Sequence, residues 1–257
     1  MPTLSVIIIS LNQEGHIVPC LESARFADEI VLVDTGSTDR TLELARGFTA
    51  HILVTPWRGY GATKNFALDQ ASGDWVFSLD TDERVPPPLR EEILSIVGAD
   101  GPLAGYRVPR KNFLGRRWIR HGGWYPDYTL RLFQRRRGRF RERQVHEEVV
   151  VDGPVGKLRN PLEHYSYASV SDYVIRQNHY ARLAAAEMLK EGRRPRPGEL
   201  FWRPLAHFVK LYILRLGFLE GRLGYTLAVL GSLYNFLKYF YLRDLHEVEP
   251  GTVTSDQ

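Results

Sequence analysis

Cysteine is all but absent from these 257 residues: Cys20 stands alone, so no internal disulfide can form and nothing supports an oxidising compartment. A reducing cytoplasm is the expected setting. Long apolar runs are missing as well. The opening stretch from Leu4 gives way after eight residues to Asn12-Gln13-Glu14 and lacks the basic flank of a secretory leader. The longest uncharged stretch, Leu223 to Leu237, is shorter than the roughly 20 residues a spanning helix needs. No fixed-period self-similarity is present, which excludes a repeat array. What remains, 44% hydrophobic and 25% charged, excludes disorder, collagen and a disulfide scaffold. The length fits one large α/β domain or one domain with a smaller appendage.

Charge is unevenly spread. Residues 1–100 carry 7 Lys/Arg against 15 Asp/Glu, a balance of −8, whereas residues 101–257 carry 27 against 15, a balance of +12. An acidic half joined to a basic half points to two tasks: metal or carboxylate chemistry in one, contact with an anionic partner in the other.

The first hundred residues alternate short β-rich runs with helical patterns, the mark of βαβ units around a parallel sheet. Leu4–Ser10, Glu29–Asp34, His51–Thr55 and Trp75–Leu79 read as strands. Residues 14–23, 38–48 and 61–70 read as the crossover helices, and Pro86-Pro87-Pro88 opens a further helix reaching Val97. Beyond residue 98 the rhythm is lost. Gly105–Arg110 and Val145–Val151 read as strands around a basic span, with 13 Lys/Arg from Arg107 to Arg143 against Asp127 and Glu142. Ser169 to Gly192 is helical in pattern, and Arg193-Arg194-Pro195-Arg196-Pro197-Gly198 reads as a linker. Residues 200–243 interleave aromatics with Arg and Lys. That suits amphipathic helices lying on a membrane surface, or a helical hairpin packed on the domain or on a second subunit.

Open α/β sheets gather their ligands outside the carboxyl ends of their strands. Here those positions are polar: Asn12 and Glu14 after the first strand, Asp34 ending the second, Arg58 and Lys64 after the third, and Asp80-Thr81-Asp82-Glu83 after the fourth. Asp80 and Asp82 put two carboxylates within reach of one hard cation, which keeps open positions for phosphate oxygens. Any one of these residues also serves as a helix cap or loop residue; their common rim is what singles them out.

LSVIIISLNQE, EIVLVDTGSTDRT, YGATKNFAL and GDWVFSLDTDERV, in that order and spacing, resemble the glycosyltransferase family 2 domain of the GT-A fold. HGGWYPDYTLRLF, VHEEV, HYSY, LYILRLGFLEGRLGY and LYNFLKY are similar to the branch containing lipopolysaccharide core β-1,4-glucosyltransferases. The resemblance implies a Rossmann-like, mostly parallel α/β sheet flanked by helices over residues 1–165. A C-terminal helical region, 166–257, would meet a membrane surface or a second copy. It also implies an inverting transfer of a sugar, usually from a UDP-sugar, to an acceptor hydroxyl, glucose from UDP-glucose being the expected donor. Asn12, Glu14 and Asp34 match positions lining the nucleotide pocket, and Lys64 the basic residue near base or diphosphate. Asp80 matches the ribose- or metal-facing acid and Asp82 the principal ligand of Mg²⁺ or Mn²⁺. Many relatives carry a second acid after the one at Asp34, where this chain has Thr35.

A cation on the diphosphate stabilises the leaving group, and the acceptor hydroxyl still needs a base. Asp127 is the candidate, an isolated carboxylate in WYPDY, where the family places a Glu-Asp pair and this chain has Pro126-Asp127. Its structural alternative is a salt bridge to Arg131. Gly122-Gly123 before it would let backbone approach donor or acceptor. His146 resembles the late histidine that completes the metal site, with His164 as rival. The Arg135–Arg143 run is expected to face an anionic, lipid-linked saccharide acceptor at the cytoplasmic face of the inner membrane. A sugar nucleotidyltransferase is the rival enzyme, but it normally carries a Gly-rich basic loop where this chain has Leu11-Asn12-Gln13-Glu14. A nucleic-acid-binding protein would explain the basic half but leave the acidic half unexplained, and no nucleic-acid motif is present.

Overall fold

The structure, a computed structural model, describes residues 1–99, 101–141 and 148–248. Among them the strands are β1 (Leu4–Ser10), β2 (Glu29–Asp34), β3 (Ile52–Val54), β4 (Trp75–Ser78), β5 (Glu83–Arg84), β6 (Gly105–Leu114), β7 (Arg117–Trp118), β8 (Asp127–Gln134), β9 (Gly138–Phe140), β10 (Val149–Val151), β11 (Val155–Lys157) and β12 (Leu162–Tyr167). The α-helices are α1 (Ile17–Ala24), α2 (Thr41–Ala45), α3 (Tyr60–Gln70), α4 (Pro87–Gly98), α5 (Val170–Lys190), α6 (Glu199–Val209) and α7 (Arg222–Val248).

The main sheet runs β3-β2-β1-β4-β8-β6-β12-β5. Its first four strands are parallel, and those consecutive in the chain are joined through a helix, as the hydrophobic rhythm predicts. β1 is buried on both faces, with Leu4, Val6 and Ile8 in a core with α1 and α4, and Ile7 in a second core with Val31, Val33 and Leu68. Strict alternation of side chains across a strand divides these residues between the two layers. Pro87 stands at the start of α4, where its missing N–H costs no helical bond.

The second half of the sheet departs from the sequence reading. β8, unread as a strand, pairs antiparallel with β4 on one side and β6 on the other. The Arg-rich span around it and the aromatic residues before it hide the alternation. β6 reaches Leu114, four residues past the expected end, and β12 pairs antiparallel with β5. The expected strand 145–151 is described only from Val149.

The described chain divides into two compact units: Met1–Phe113 with Pro126–Ser166, and Leu114–Tyr125 with the residues from Tyr167 onward. The first holds all of the strand-end residues discussed above. In the second, α5 and α6 pack on α7, with Ala185, Tyr239 and Leu242 buried between helices. Buried Glu220 accepts hydrogen bonds from the backbone N–H groups of Arg120 (2.9 Å) and His121 (3.1 Å), and from Arg117 Nη2 (3.1 Å). That carboxylate fixes the loop carrying Gly122 and Gly123, whose φ values of +70° and +84° lie in the left-handed region that favours glycine. No described helix is long and apolar enough to cross a membrane.

Candidate active site

Two polar clusters form at the carboxyl ends of the parallel strands. The first joins the loops after β1 and β2. Asp34 is fully buried, and its Oδ1 accepts from the backbone N–H groups of Gly36 (3.0 Å) and Ser37 (2.7 Å). Its Oδ2 accepts from the hydroxyls of Ser10 (2.7 Å) and Ser37 (2.6 Å). Asn12 Oδ1 accepts from Thr38 N–H at 2.8 Å, while Asn12 N–H donates to Ser37 Oγ at 2.8 Å. Glu14 Oε2 receives Arg40 N–H at 3.2 Å. These three residues are therefore brought together, each tying one loop to the other, and Asp34 meets its needs with neutral donors.

The second cluster is ionic. Lys64, 2% exposed on α3, reaches Asp80 Oδ1 at 2.8 Å. Arg131 on β8 donates through Nη2 to Asp80 Oδ2 and to Glu83 Oε1, both at 2.5 Å. Glu83, fully buried, also stands 3.6 Å from Arg110 Nη1 and accepts the backbone N–H of Asp80 at 3.0 Å. Arg110 donates through Nε and Nη2 to Asp127 Oδ2 at 3.0 and 2.6 Å, joined there by Asn112 Nδ2 at 3.2 Å. Asn112 Oδ1 then meets His164 Nδ1 at 2.7 Å, and His164 Nε2 lies 3.4 Å from Asp82 Oδ2. Asp80 and Asp82 are two residues apart, so the chain of contacts closes into a ring.

Strand pairing builds this ring. Arg110 lies directly opposite Asp127 across β6 and β8, and His164 directly opposite Glu83 across β12 and β5. Arg131 is the residue skipped where the register of β6 and β8 shifts, between Leu132 opposite Tyr106 and Leu130 opposite Arg107. The alternative reading of Asp127 as the partner of Arg131 is corrected here: register gives Asp127 to Arg110 and leaves Arg131 for Asp80 and Glu83. Sequence reasoning gave no role to Glu83, Arg110 or Asn112. Adjacency to Asp-x-Asp was the signal available for Glu83, while the other two depend on register.

Burial opposes ionisation of Asp80, but Arg131 and then Lys64 outweigh it and hold the carboxyl well below the usual carboxylate range. Burial also opposes ionisation of Asp82; the contact with His164 overcomes it and lowers the carboxyl despite repulsion from Asp80. Cys20, buried beneath the Asp80 backbone, has its thiol pushed strongly up by burial, which leaves no nucleophile there.

The donor set suits a divalent cation at one end of the ring only. Asp80 has a cationic side chain on each carboxylate oxygen. His164 Nδ1 is occupied within the protein, 2.7 Å from Asn112 Oδ1 and 3.0 Å from Ser166 Oγ. Its Nε2 faces Asp82 Oδ2 at 3.4 Å, which places one ring nitrogen and one carboxylate oxygen where they can share a cation. Asp82 and His164 thus fit as metal ligands, whereas Asp80 in this arrangement does not, and among the described residues no group of three such side chains is arranged to hold an ion. His146, the other candidate, lies outside the described residues.

Residues 5–159 match the profile of Glycosyl transferase family 2. The chain is 35% identical over 246 residues to the lipopolysaccharide core biosynthesis glycosyltransferase LpsC of Rhizobium meliloti (strain 1021), covering 91% of this chain and 89% of that protein. It is 26% identical over 268 residues to the uncharacterized glycosyltransferase RT0209 of Rickettsia typhi, covering 100% and 92%. Among solved structures it is similar to S. aureus TarS 1–349, at 16% identity and a TM-score of 0.47, covering 99% of this chain and 94% of that one.

Proposed function

The chain belongs to glycosyltransferase family 2 and is a glycosyltransferase, and on that footing we propose that it moves glucose from UDP-glucose onto a hydroxyl of the lipopolysaccharide inner core, with inversion. The observation that carries this reading is the ionic ring. It gathers three strand-end carboxylates, Asp80, Asp82 and Glu83, a fourth, Asp127, from the basic half, and the buried cations of Lys64 and Arg131 in one place.

In this reading Asp127 is the base. Its contacts with Arg110 and Asn112 all end on Oδ2, so the carboxylate is fixed in orientation and Oδ1 takes the acceptor proton. The acceptor oxygen attacks the anomeric carbon from the face opposite the diphosphate. The bond to the diphosphate oxygen breaks as the new one forms, and UDP leaves with the electron pair. Lys64 and Arg131, which otherwise neutralise Asp80, are the cations at hand for that negative charge. Asn12, Glu14 and Asp34 shape the paired loops that flank the nucleotide. Asp82 with His164 would hold Mg²⁺ or Mn²⁺, which when bound stabilises the leaving diphosphate. His146 would be a further ligand. The relative named for lipopolysaccharide core biosynthesis and the Arg135–Arg143 run support this acceptor class, and in this reading the work is done at the cytoplasmic face of a membrane.

Incubating the purified chain with a panel of nucleotide-sugars, with and without Mg²⁺ or Mn²⁺, tests the reading. Metal-dependent release of UDP from UDP-glucose is the expected result. Turnover of a different donor would replace the sugar, and pyrophosphate release from a nucleoside triphosphate and a sugar phosphate would replace the reaction.

A further inference from the structure

The second unit carries a surface that the transfer reaction does not use. Phe201, Trp202 and Leu205 on α6 are 80%, 61% and 64% exposed, and the stripe continues through Val209 to Ile213 and Leu214 in the turn that follows. The steps of one, three and four residues keep the stripe on one helical face. Large apolar side chains scattered singly need no explanation, but a contiguous row with two aromatics does.

The charge around this row has one sign. From Arg193 to Arg222 the chain has seven Arg and Lys and two acids. Both acids are buried: Glu199 is taken by Arg193 and Arg203, and Glu220 by Arg117 and the loop before Gly122. What faces solvent beside the apolar row is therefore Lys210, Arg215 and Arg222, with no exposed carboxylate among residues 193–222. A symmetric contact with a second copy through this face would set those cations against their own counterparts, with no exposed acid in the segment to offset them. An anionic bilayer meets both demands at once. Its headgroups take the cations, its acyl boundary takes Leu205, Ile213 and Leu214, and the indole of Trp202 sits between the two.

We infer that the exposed face of α6 and the following turn, residues 201–222, is a docking surface for an anionic lipid bilayer, on which the helix lies without crossing. The inference deepens the proposed membrane-linked acceptor and rests on that reading for its purpose, while its test needs no acceptor. The full chain is sedimented with phosphatidylcholine vesicles and with vesicles that also contain phosphatidylglycerol. Binding to the anionic vesicles is expected, weakening as salt is raised. A variant carrying F201S, W202S and L205S should bind about tenfold or more weakly with an unchanged thermal midpoint, since all three side chains are exposed. A second variant carrying K210E, R215E and R222E should lose the preference for anionic lipid. Equal binding by the first variant, or no preference for anionic lipid in the native chain, overturns the inference. So does a dimer in solution that the first variant abolishes while the native chain ignores vesicles. Unchanged release of UDP by both variants without vesicles separates this surface from the catalytic proposal, and vesicle binding by a chain with no UDP-sugar turnover would defeat only the latter.

Discussion

Asp34 and Asp80 each follow a buried parallel strand on the same sheet, and the structure treats them in opposite ways. Asp34 is sealed by two backbone amides and two hydroxyls, all neutral and all within the two loops it joins. Asp80 is held by Lys64 and Arg131, and through Arg131 it is connected to Glu83, Arg110 and Asp127. A carboxylate satisfied by neutral donors fixes a loop. One satisfied by cations sits among charges that an incoming phosphate can engage. Placement at a strand end finds both; the identity of the donors tells them apart.

Substitutions that separate the two clusters give graded outcomes. In the ionic ring, Asp82→Ala should reduce both donor hydrolysis and transfer by about 10³-fold, measured as UDP release and as product formation, because leaving-group stabilisation is lost. Near-normal hydrolysis would remove Asp82 from the donor site. Glu83→Ala strips buried Arg131 of one carboxylate and should lower unfolding free energy by about 3–5 kcal/mol in urea titrations. A change within experimental error would mean that the ring is not what holds β5 to β8. In the neutral cluster, Asp34→Asn keeps the shape but weakens bonds to two hydroxyls, with an expected loss of about 1–2 kcal/mol and a rise in the donor KM that exceeds any fall in kcat. A fall in kcat as large as that of Asp82→Ala would erase the distinction between the clusters.

The smallest expected effect is in pH. The folded-state pKa of Asp80 is depressed, so its contribution is complete above the ordinary carboxylate value of about 3.9 and is lost as pH falls through the folded value. The stability difference between the native chain and Asp80→Asn should be flat from about pH 8 to pH 5 and shrink only below about pH 4. A difference that shrinks near neutrality would place a histidine in control.

The parallel half of the fold was legible because its signals are local. Apolar runs with the spacing of buried strands mark β1 and β2 to the residue, and Pro87 marks the start of α4. The antiparallel half was not, since β8 is a strand by virtue of what lies on either side of it. The same division runs through the site. Asn12, Glu14, Asp34, Asp80 and Asp82 are strand-end residues and could be read from position. The pairing of Asp127 with Arg110, and the placing of His164 opposite Glu83 and so beside Asp82, come from cross-strand register, which no local pattern encodes. Asp127 was nevertheless singled out, because one acid in so basic a span is conspicuous even when its partner cannot be named.

The central claim is that Asp127 takes the acceptor proton while the other end of the ring holds the donor. Side-by-side measurement of UDP affinity and of sugar transfer in Asp127→Asn tests it most directly. The account predicts unchanged UDP affinity and a loss of transfer of about 10²–10⁴-fold. Full transfer by Asp127→Asn would contradict it.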